Sequence, residues 1–333
     1  MRVTLLGTGD TAGTPRPGCD CDTCLAARER GAERTRSSVH VRNDRTGDVL
    51  LIDASPDFRQ QFLRDGVALP DAAVITHIHF DHLDGLGNAY RLLDHLPVYA
   101  AGETDPETGE SVAATVDRKY DYLDAVDVLA REPSEPFRVC GFDVTLVPVD
   151  HPPLSTYGVR VEDPETGAVL ALSGDTSYRV PGASRDVLRG ADLLLADGIV
   201  PASLCDYHPL GGRDAGEEGV PRTFGTKHMT REGALALADD LGAAAVRVVH
   251  CAHRYPPGEA FEEPLDVVLA PGFEVEFDLG GVHRDVAVRP VVSIPAVSRT
   301  AAASNAGGSS ESWPGQPGPH SLAASTRRPL YAQ

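Results

Sequence analysis

The stretch His77-Ile78-His79-Phe80-Asp81-His82 sets four metal-capable side chains within six residues, directly after the short apolar run Ala73-Val74-Ile75-Thr76. An apolar run of that length reads as a buried strand, and the chain leaving it enters a loop. Alternate imidazoles can then face one cation while Asp81 and His82 turn to another. The spacing therefore points to two neighbouring divalent ions. Imidazole nitrogen and carboxylate oxygen suit zinc and comparable metals, and ion pairs about 3.5–4 Å apart are a recurring device for cleaving phosphate esters.

Partners for this cluster follow the same rule downstream. His151 comes after Val144-Thr145-Leu146-Val147-Pro148-Val149-Asp150, Asp175 after Ala168-Val169-Leu170-Ala171-Leu172-Ser173-Gly174, and His250 after Ala245-Val246-Arg247-Val248-Val249. Each sits at the exit of an expected strand, where a rigid sheet rim can bring distant residues onto one site.

Upstream, Gly18-Cys19-Asp20-Cys21-Asp22-Thr23-Cys24 gives three thiols too close together for unstrained mutual disulfides, but well spaced to wrap one tetrahedral ion. A fourth ligand is required. His253 is the candidate, with Cys251 as competitor. A redox role is disfavoured because the motif is not expected to open a helix after a strand.

The pattern His-x-His-x-Asp-His, followed by a His, an Asp and a final His, resembles the metallo-β-lactamase superfamily. The resemblance implies an α/β fold, a four-layer αββα sandwich. It also implies that His77, His79 and His151 hold one ion, Asp81, His82 and His250 the other, and that Asp175 bridges both, with a hydroxide between the ions as nucleophile. Together with Leu5-Leu6-Gly7-Thr8-Gly9, the cysteine motif and the His250-x-x-His253 pair, the chain is similar to PhnP-type phosphodiesterases, which open a cyclic phosphate on a phosphorylated ribose. Arg36-Ser37-Ser38 and Ala54-Ser55-Pro56-Asp57 are similar to the coenzyme PQQ synthesis protein B family. The cofactors implied are two divalent ions, zinc or manganese, and one structural zinc held by Cys19, Cys21, Cys24 and His253. A homodimer is suggested by the same resemblance.

Cleavage of a P–O bond also calls for an acid to protonate the leaving oxygen. His228 fits, just before Thr230, which can cap a helix with apolar positions at Ala234, Leu235, Leu237, Ala238 and Leu241. His208 competes for the role. Residues 201–227 lack an apolar period and read as a long substrate-shaping loop, with Arg213, Arg222 and Lys227 as phosphate-contact candidates.

The ligands run from position 77 to 250 and cannot be shared between independent units, so one catalytic domain over 1–290 is expected, with a Ser/Ala/Gly/Pro-rich disordered tail over 291–333. Strands are expected at 2–6, 38–43, 48–53, 73–76, 97–100, 142–148, 156–162, 168–173, 192–197, 246–250 and 273–277. Helices are expected near 57–64, 83–94, 111–127, 184–189 and 231–241. Thirty basic against 49 acidic side chains, a net charge of −19, oppose binding to a long nucleic-acid backbone, whereas bound cations would still draw a small phosphodiester. No signal-peptide core and no long apolar span is present, and the cysteine usage fits a reducing compartment, so a cytoplasmic enzyme without a membrane partner is expected. The function expected is hydrolysis of a small, cyclic phosphodiester, with Asp81 and His228 as the catalytic side chains. The alternatives are a PQQ synthesis protein B-like accessory or carrier protein, a ribonuclease Z-like transfer-RNA processing nuclease, and redox chemistry at iron.

Overall fold

The strand-exit residues His77, His151, Asp175 and His250 share one rim, and sheet topology is the reason. The computed structural model describes residues 1–258 and 266–270, together with strand pairing at 276–277 and 286–287. The 291–333 tail expected from composition and the 273–275 part of the last expected strand lie outside the described residues. A first sheet contains β1 (Arg2–Gly7), β2 (Ser38–Arg42), β3 (Val49–Ile52), β4 (Ala72–Ile75), β5 (Leu96–Ala101) and β6 (Val126–Arg131) in that order, with Asp266–Val268 beside β1. The second runs β7 (Phe137–Val139), β8 (Phe142–Val149), β9 (Thr156–Glu162), β10 (Val169–Leu172) and β11 (Leu193–Asp197), and is closed by Val246–Val249 beside β11. Between β11 and that last strand, a small sheet joins β12 (Gly212–Arg213), β13 (Thr223–Phe224) and β14 (His228–Met229).

Strand direction decides what meets what. β3 through β6 are parallel, and so are β10, β11 and Val246–Val249. β8 is antiparallel to β9, itself antiparallel to β10, so β8 runs with β10. The carboxyl ends of β3, β4, β8, β10, β11 and Val246–Val249 are therefore delivered to one edge of the sandwich, the edge where open α/β sheets bind ligands.

Alternation along β10 and β11 shows why there are four layers. Leu170, Leu172, Leu193 and Leu195 enter the core shared with the first sheet, while Val169, Ala171, Leu194 and Ala196 pack against Leu188, Ala234, Leu237 and Leu241. Those last four come from the outer helices of the second sheet. Both faces of these strands are buried, which is why they read as continuous apolar runs. Six helices are described: α1 (Asp22–Arg30), α2 (Phe58–Asp65), α3 (Phe80–Leu83), α4 (Val112–Tyr120), α5 (Gly182–Leu188) and α6 (Arg231–Leu241). Phe58 and Phe62 of α2 and Val112, Val116 and Tyr120 of α4 pack into the core of the first sheet, whereas α5 and α6 cover the second, giving the αββα sandwich. As expected, Thr230 caps α6, its hydroxyl accepting from Gly233 N at 3.0 Å.

Several expected elements differ. The helix expected at 83–94 is only α3 followed by a 3-10 turn over Asp84–Ala89, because Gly85, Gly87 and Asn88 disfavour a continued α-helix. The helix expected at 111–127 ends at Tyr120, and Val126, Val128 and Ala130 instead alternate as an edge strand against β5. The cysteine motif does open a helix, α1, which Cys21 precedes as N-cap. Contrary to expectation the motif therefore stands at a helix start, although that helix follows a loop and not a strand. Among the described residues no helix is long and apolar enough to cross a membrane.

At the edge opposite the ligand rim, Asp163 ties the two sheets together. Arg45, in the β2–β3 turn, donates two bonds of 2.8 Å to the buried Asp163 carboxylate in the β9–β10 turn. Arg45 chiefly, with local hydrogen bonds and against the opposing effect of burial, holds that carboxyl well below its ordinary range. Asp163→Ala should lower unfolding free energy by about 1–3 kcal/mol, less than a fully buried pair because Arg45 is partly in water. A carboxylate with a depressed folded pKa stabilises above its unfolded value, near pH 4, and that contribution fades as pH falls toward the folded value. Urea unfolding of wild type and variant at pH 7 and pH 3 should accordingly differ less at the lower pH.

Candidate metal centre

The residues expected as ligands do converge at the rim. His77, His79, His151 and Asp175 form one group, Asp81, His82 and His250 a second, and the ligand atoms within each group lie within 4.8 Å of one another. His77 Nε2 is 3.0 Å from His79 Nδ1 and 3.7 Å from Asp175 Oδ2. The same Asp175 oxygen lies 3.3 Å from His82 Nε2 and 3.1 Å from His250 Nε2, so this carboxylate stands between the groups. Asp81 Oδ2 is 3.5 Å from His82 Nε2 and 3.4 Å from His250 Nε2. Asp175 reaches this position from Gly174, where an added Cβ would come within 2.6 Å of the Tyr157 carbonyl at a φ of +64°.

Ring orientation depends on two acids that the sequence reading did not single out, Asp53 and Asp197. Asp53 Oδ2 is 2.6 Å from His82 Nδ1. Its carboxylate also accepts from the Thr76 hydroxyl at 2.8 and 3.0 Å, and that oxygen in turn accepts from His77 Nδ1 at 3.0 Å. One buried carboxylate thus fixes a ring in each group and turns both Nε2 atoms inward. Asp197 accepts from Thr176 N and His228 Nδ1, each at 2.9 Å, and its other oxygen lies 3.8 Å from His250 Nδ1. Asp53 follows Val49–Ile52 and Asp197 ends Leu193–Asp197, so the strand-exit rule that selected Asp175 would have found both. His250 and Asp53 themselves hold positive φ of 58° and 59°, a costly backbone state for residues other than glycine, met most often at functional sites.

The charges explain what the cage is suited to hold. Burial alone would raise the carboxyls of Asp81 and Asp175, but His250 and His82 outweigh it and keep both well below the ordinary range. Against the pull of burial, Asp175 chiefly and then its companion carboxylates raise His82 well above its usual value and His250 to about 9. Burial lowers His77, His79 and His151, the last to about 3, so these rings present neutral nitrogens. His82 Nε2, His151 Nε2 and Asp81 Oδ1 are buried without any hydrogen-bond partner. Acceptor atoms left unpaired in the interior, among anions that otherwise recruit protons, fit divalent cations in those positions. His77, His79 and His151 would hold one, Asp81, His82 and His250 the other, with Asp175 between.

A second cage joins the N-terminal loop to the segment after His250. The thiol sulfurs of Cys19, Cys21 and Cys24 lie 3.6, 3.5 and 3.6 Å from His253 Nδ1. Tetrahedral zinc, with sulfur and nitrogen ligands at about 2.3 and 2.0–2.1 Å, requires such a sulfur-to-nitrogen separation of about 3.6 Å. Cys251 is not part of this group; its thiol turns toward Val248 O at 3.9 Å. Backbone bonds from Cys251 N to Thr8 O and from Asp10 N to Cys251 O carry the connection on to the neighbour of His250.

His228 borders the first cage. Its ring stacks on His250 at 5.0 Å and meets His151 edge-on at 4.8 Å. His208 packs instead edge-on to Phe224, its Nδ1 accepting from Leu210 N at 3.1 Å, away from the ligands. The 201–227 segment, expected to be irregular, contains a 3-10 turn over Ala202–Tyr207 and the strands β12 and β13. It is bolted to the residues just after Asp175. The Thr223 hydroxyl donates to Asp214 at 2.7 Å and accepts from Tyr178 N at 3.0 Å, while Arg222 and Arg185 lie over the Tyr178 ring at 4.7 and 4.8 Å. Gly233 permits the close approach of α6, since a Cβ there would meet Arg222 O at 2.0 Å.

Two measurements probe this arrangement. Asp53→Ala should weaken divalent-metal retention about 10–100-fold in chelator competition, because its carboxylate orients ligands in both groups. Cys21→Ser should lose zinc at the cysteine cage and lower the melting temperature, which metal analysis alongside calorimetry reads directly.

Known proteins share this architecture. An octanoyltransferase of Porphyromonas gingivalis is 35% identical over 278 residues, covering 82% of this chain and 50% of that protein, so the chain spans about half the length of that relative. A diphosphatase from the PhnP family superposes with a TM-score of 0.60 at 27% identity, over 81% of this chain and 99% of the other. Zinc-bound PqqB from Methylobacterium extorquens superposes with a TM-score of 0.59 at 26% identity, over 77% and 91% of the two chains. The family description "Beta-lactamase superfamily domain" fits residues 49–251, a span that contains every ligand of the His and Asp groups. By fold, by that match and by the side chains gathered at the rim, the chain belongs to the beta-lactamase superfamily and has the metallo-β-lactamase fold.

Proposed function

We propose that the protein is a metal-dependent hydrolase of small phosphodiesters, with cyclic ribose phosphates as the substrate class. The observation that carries this reading is the full set of seven inward-facing ligands with the His228–Asp197 pair beside them. When bound, zinc or manganese ions would supply Lewis-acid stabilisation of charge on the phosphoryl oxygens and a water acidic enough to attack at neutral pH. The chain's own groups do the rest. Asp81 Oδ1, buried and without a partner, is the acceptor for the proton of an attacking water. His228, its Nδ1 held by Asp197 at 2.9 Å, directs Nε2 to the leaving oxygen, and the Asp197 carboxylate stabilises the imidazolium that donates the proton. Likeness to the PhnP-family diphosphatase supports phosphate chemistry at such a rim.

The accessory-protein alternative rests on the segments shared with PQQ synthesis protein B, and these serve the scaffold. Arg36 Nη1 donates to Asp57 Oδ1 at 2.8 Å and Arg36 N to Asp57 Oδ2 at 2.9 Å, so the two segments bind one another. Ser38 and Ser55 likewise bond to Asp53 O and Gln61 Oε1, at 2.7 and 3.0 Å. A shared scaffold leaves the chemistry open, whereas an intact ligand set with an adjacent acid favours turnover. The net charge of −19 weighs against transfer-RNA processing.

Metal-loaded protein should hydrolyse bis-p-nitrophenyl phosphate or a ribose cyclic phosphate. Asp81→Ala and Asp175→Ala should abolish that activity, and His228→Ala should lower kcat about 10²–10⁴-fold. Metal-replete protein that turns over no diester in such a panel would leave the accessory reading standing instead.

A further inference from the structure

Among the described residues a third ligand cluster lies at the rim, beside the two His and Asp groups assigned above. Asp175, His228 and His250 each offer a ligand atom within 4.8 Å of the others. Ligands on opposite sides of one ion stand at roughly twice the metal–ligand distance, about 4–4.4 Å apart, so small side-chain shifts let a single ion meet all three. Asp175 and His250 already face the second ion of the cage. The third cluster is therefore no separate pocket but another way of holding that same ion.

His228 is fixed as a ligand is fixed. A metal-ligating imidazole characteristically gives its other nitrogen to a carboxylate or a backbone carbonyl. His82 Nδ1 does so to Asp53 at 2.6 Å, and His151 Nδ1 to the Lys227 carbonyl at 3.0 Å. His228 repeats the arrangement, its Nδ1 donating to Asp197 at 2.9 Å, which leaves Nε2 for an ion. Asp197 is itself buried and accepts from Thr176 N, so this anchor is held in place. The His228 and His250 rings stand side by side with 12° between their planes. The backbone here is equally constrained: His228 pairs with Phe224 in the small sheet, and Met229 after it is fully buried in the core. The ring itself is only half-buried, so an anion can reach it.

We propose that His228 is a conditional metal ligand. With no anion in the site, its Nε2 closes on the ion that Asp81, His82, Asp175 and His250 hold, and an entering phosphate group takes its place. Zinc sites expand to five ligands, so the extra nitrogen does not require another to leave. Ligation stands without the hydrolase reading, whereas its catalytic consequence rests on that reading. A nitrogen whose lone pair is on a metal carries no proton to give. When a phosphate oxygen replaces Nε2, the freed nitrogen takes a proton from solvent and His228 becomes the acid. The residue thus keeps its proton-donating role for the moment a phosphate is present.

The full chain, carrying zinc at the cysteine cage, is titrated with manganese(II), which thiolates bind poorly, and the free ion is followed by its EPR signal. Without phosphate, wild type should hold its second manganese about 10–100-fold more tightly than His228→Gln. Saturating inorganic phosphate should largely close that gap, because the ring is then displaced in wild type too. His208→Gln, whose ring packs on Phe224, should match wild type throughout. A measurement on wild type alone guards against a variant that fails to fold. Diethyl pyrocarbonate acylates free imidazole nitrogens, so manganese should protect His228 from modification, read by peptide mass spectrometry. Equal manganese affinity in wild type and folded His228→Gln, or modification of His228 at one rate with and without manganese, would overturn ligation. A gap that persists in saturating phosphate would overturn displacement. The gap in a protein that turns over no diester would leave ligation standing and overturn the hydrolase reading instead.

Discussion

Buried negative charge at the rim is the constraint around which this structure is arranged. Asp53, Asp81, Asp175 and Asp197 are all nearly inaccessible to water and lie within one constellation of imidazoles. Isolated buried carboxylates are very costly, and here they persist because each has a ring or a backbone donor to bind. Asp53 holds His82 by Nδ1 and leaves its Nε2 without a partner, as the Lys227 carbonyl does for His151. That combination turns a sheet edge into a cation cage, since a divalent ion satisfies both the surplus charge and the unpaired atoms.

The sandwich makes such an arrangement affordable. Side chains at strand ends are held by a two-sheet core in which Leu50, Leu51, Ile52, Val74 and Ile75 are fully buried, so the ligands are placed by rigid elements. Sequestering the second, cysteine-lined cage close to His250 extends this rigidity to the one ligand that ends its sheet at an edge strand. The Tyr178 and Thr223 contacts do the same for His228, so the segment that carries it is fastened to the residues after Asp175 and is no free lid.

Much of this was legible in the chain. His77, His151, Asp175 and His250 each stand just after an apolar run, and His79, Asp81 and His82 belong to the dense six-residue cluster that His77 opens, because a buried strand cannot end without exposing its next residues at a rim. Asp53 and Asp197 obey that rule equally and were passed over, since a lone acid after a strand has no neighbouring cluster to draw attention to it. The expected helices at 83–94 and 111–127 were overextended because apolar spacing outweighed the glycines in the first and the alternating Val126, Val128 and Ala130 in the second. The choice between His253 and Cys251, and between His228 and His208, was beyond local reasoning, as each pair differs only in where a loop turns.

The amino-acid order alone determined which residue types the centre contains and on which strands they arrive, because ligand chemistry and hydrophobic periodicity are both properties of short segments. Folding in three dimensions determined which nitrogen of each ring faces inward, which acid holds it there, and which loop cations are already paired. Those outcomes depend on contacts between residues such as Asp53 and His82, His228 and Asp197, or Arg222 and Tyr178, which are 29, 31 and 44 positions apart. No short window of sequence contains both partners, so only their packing could assign the roles.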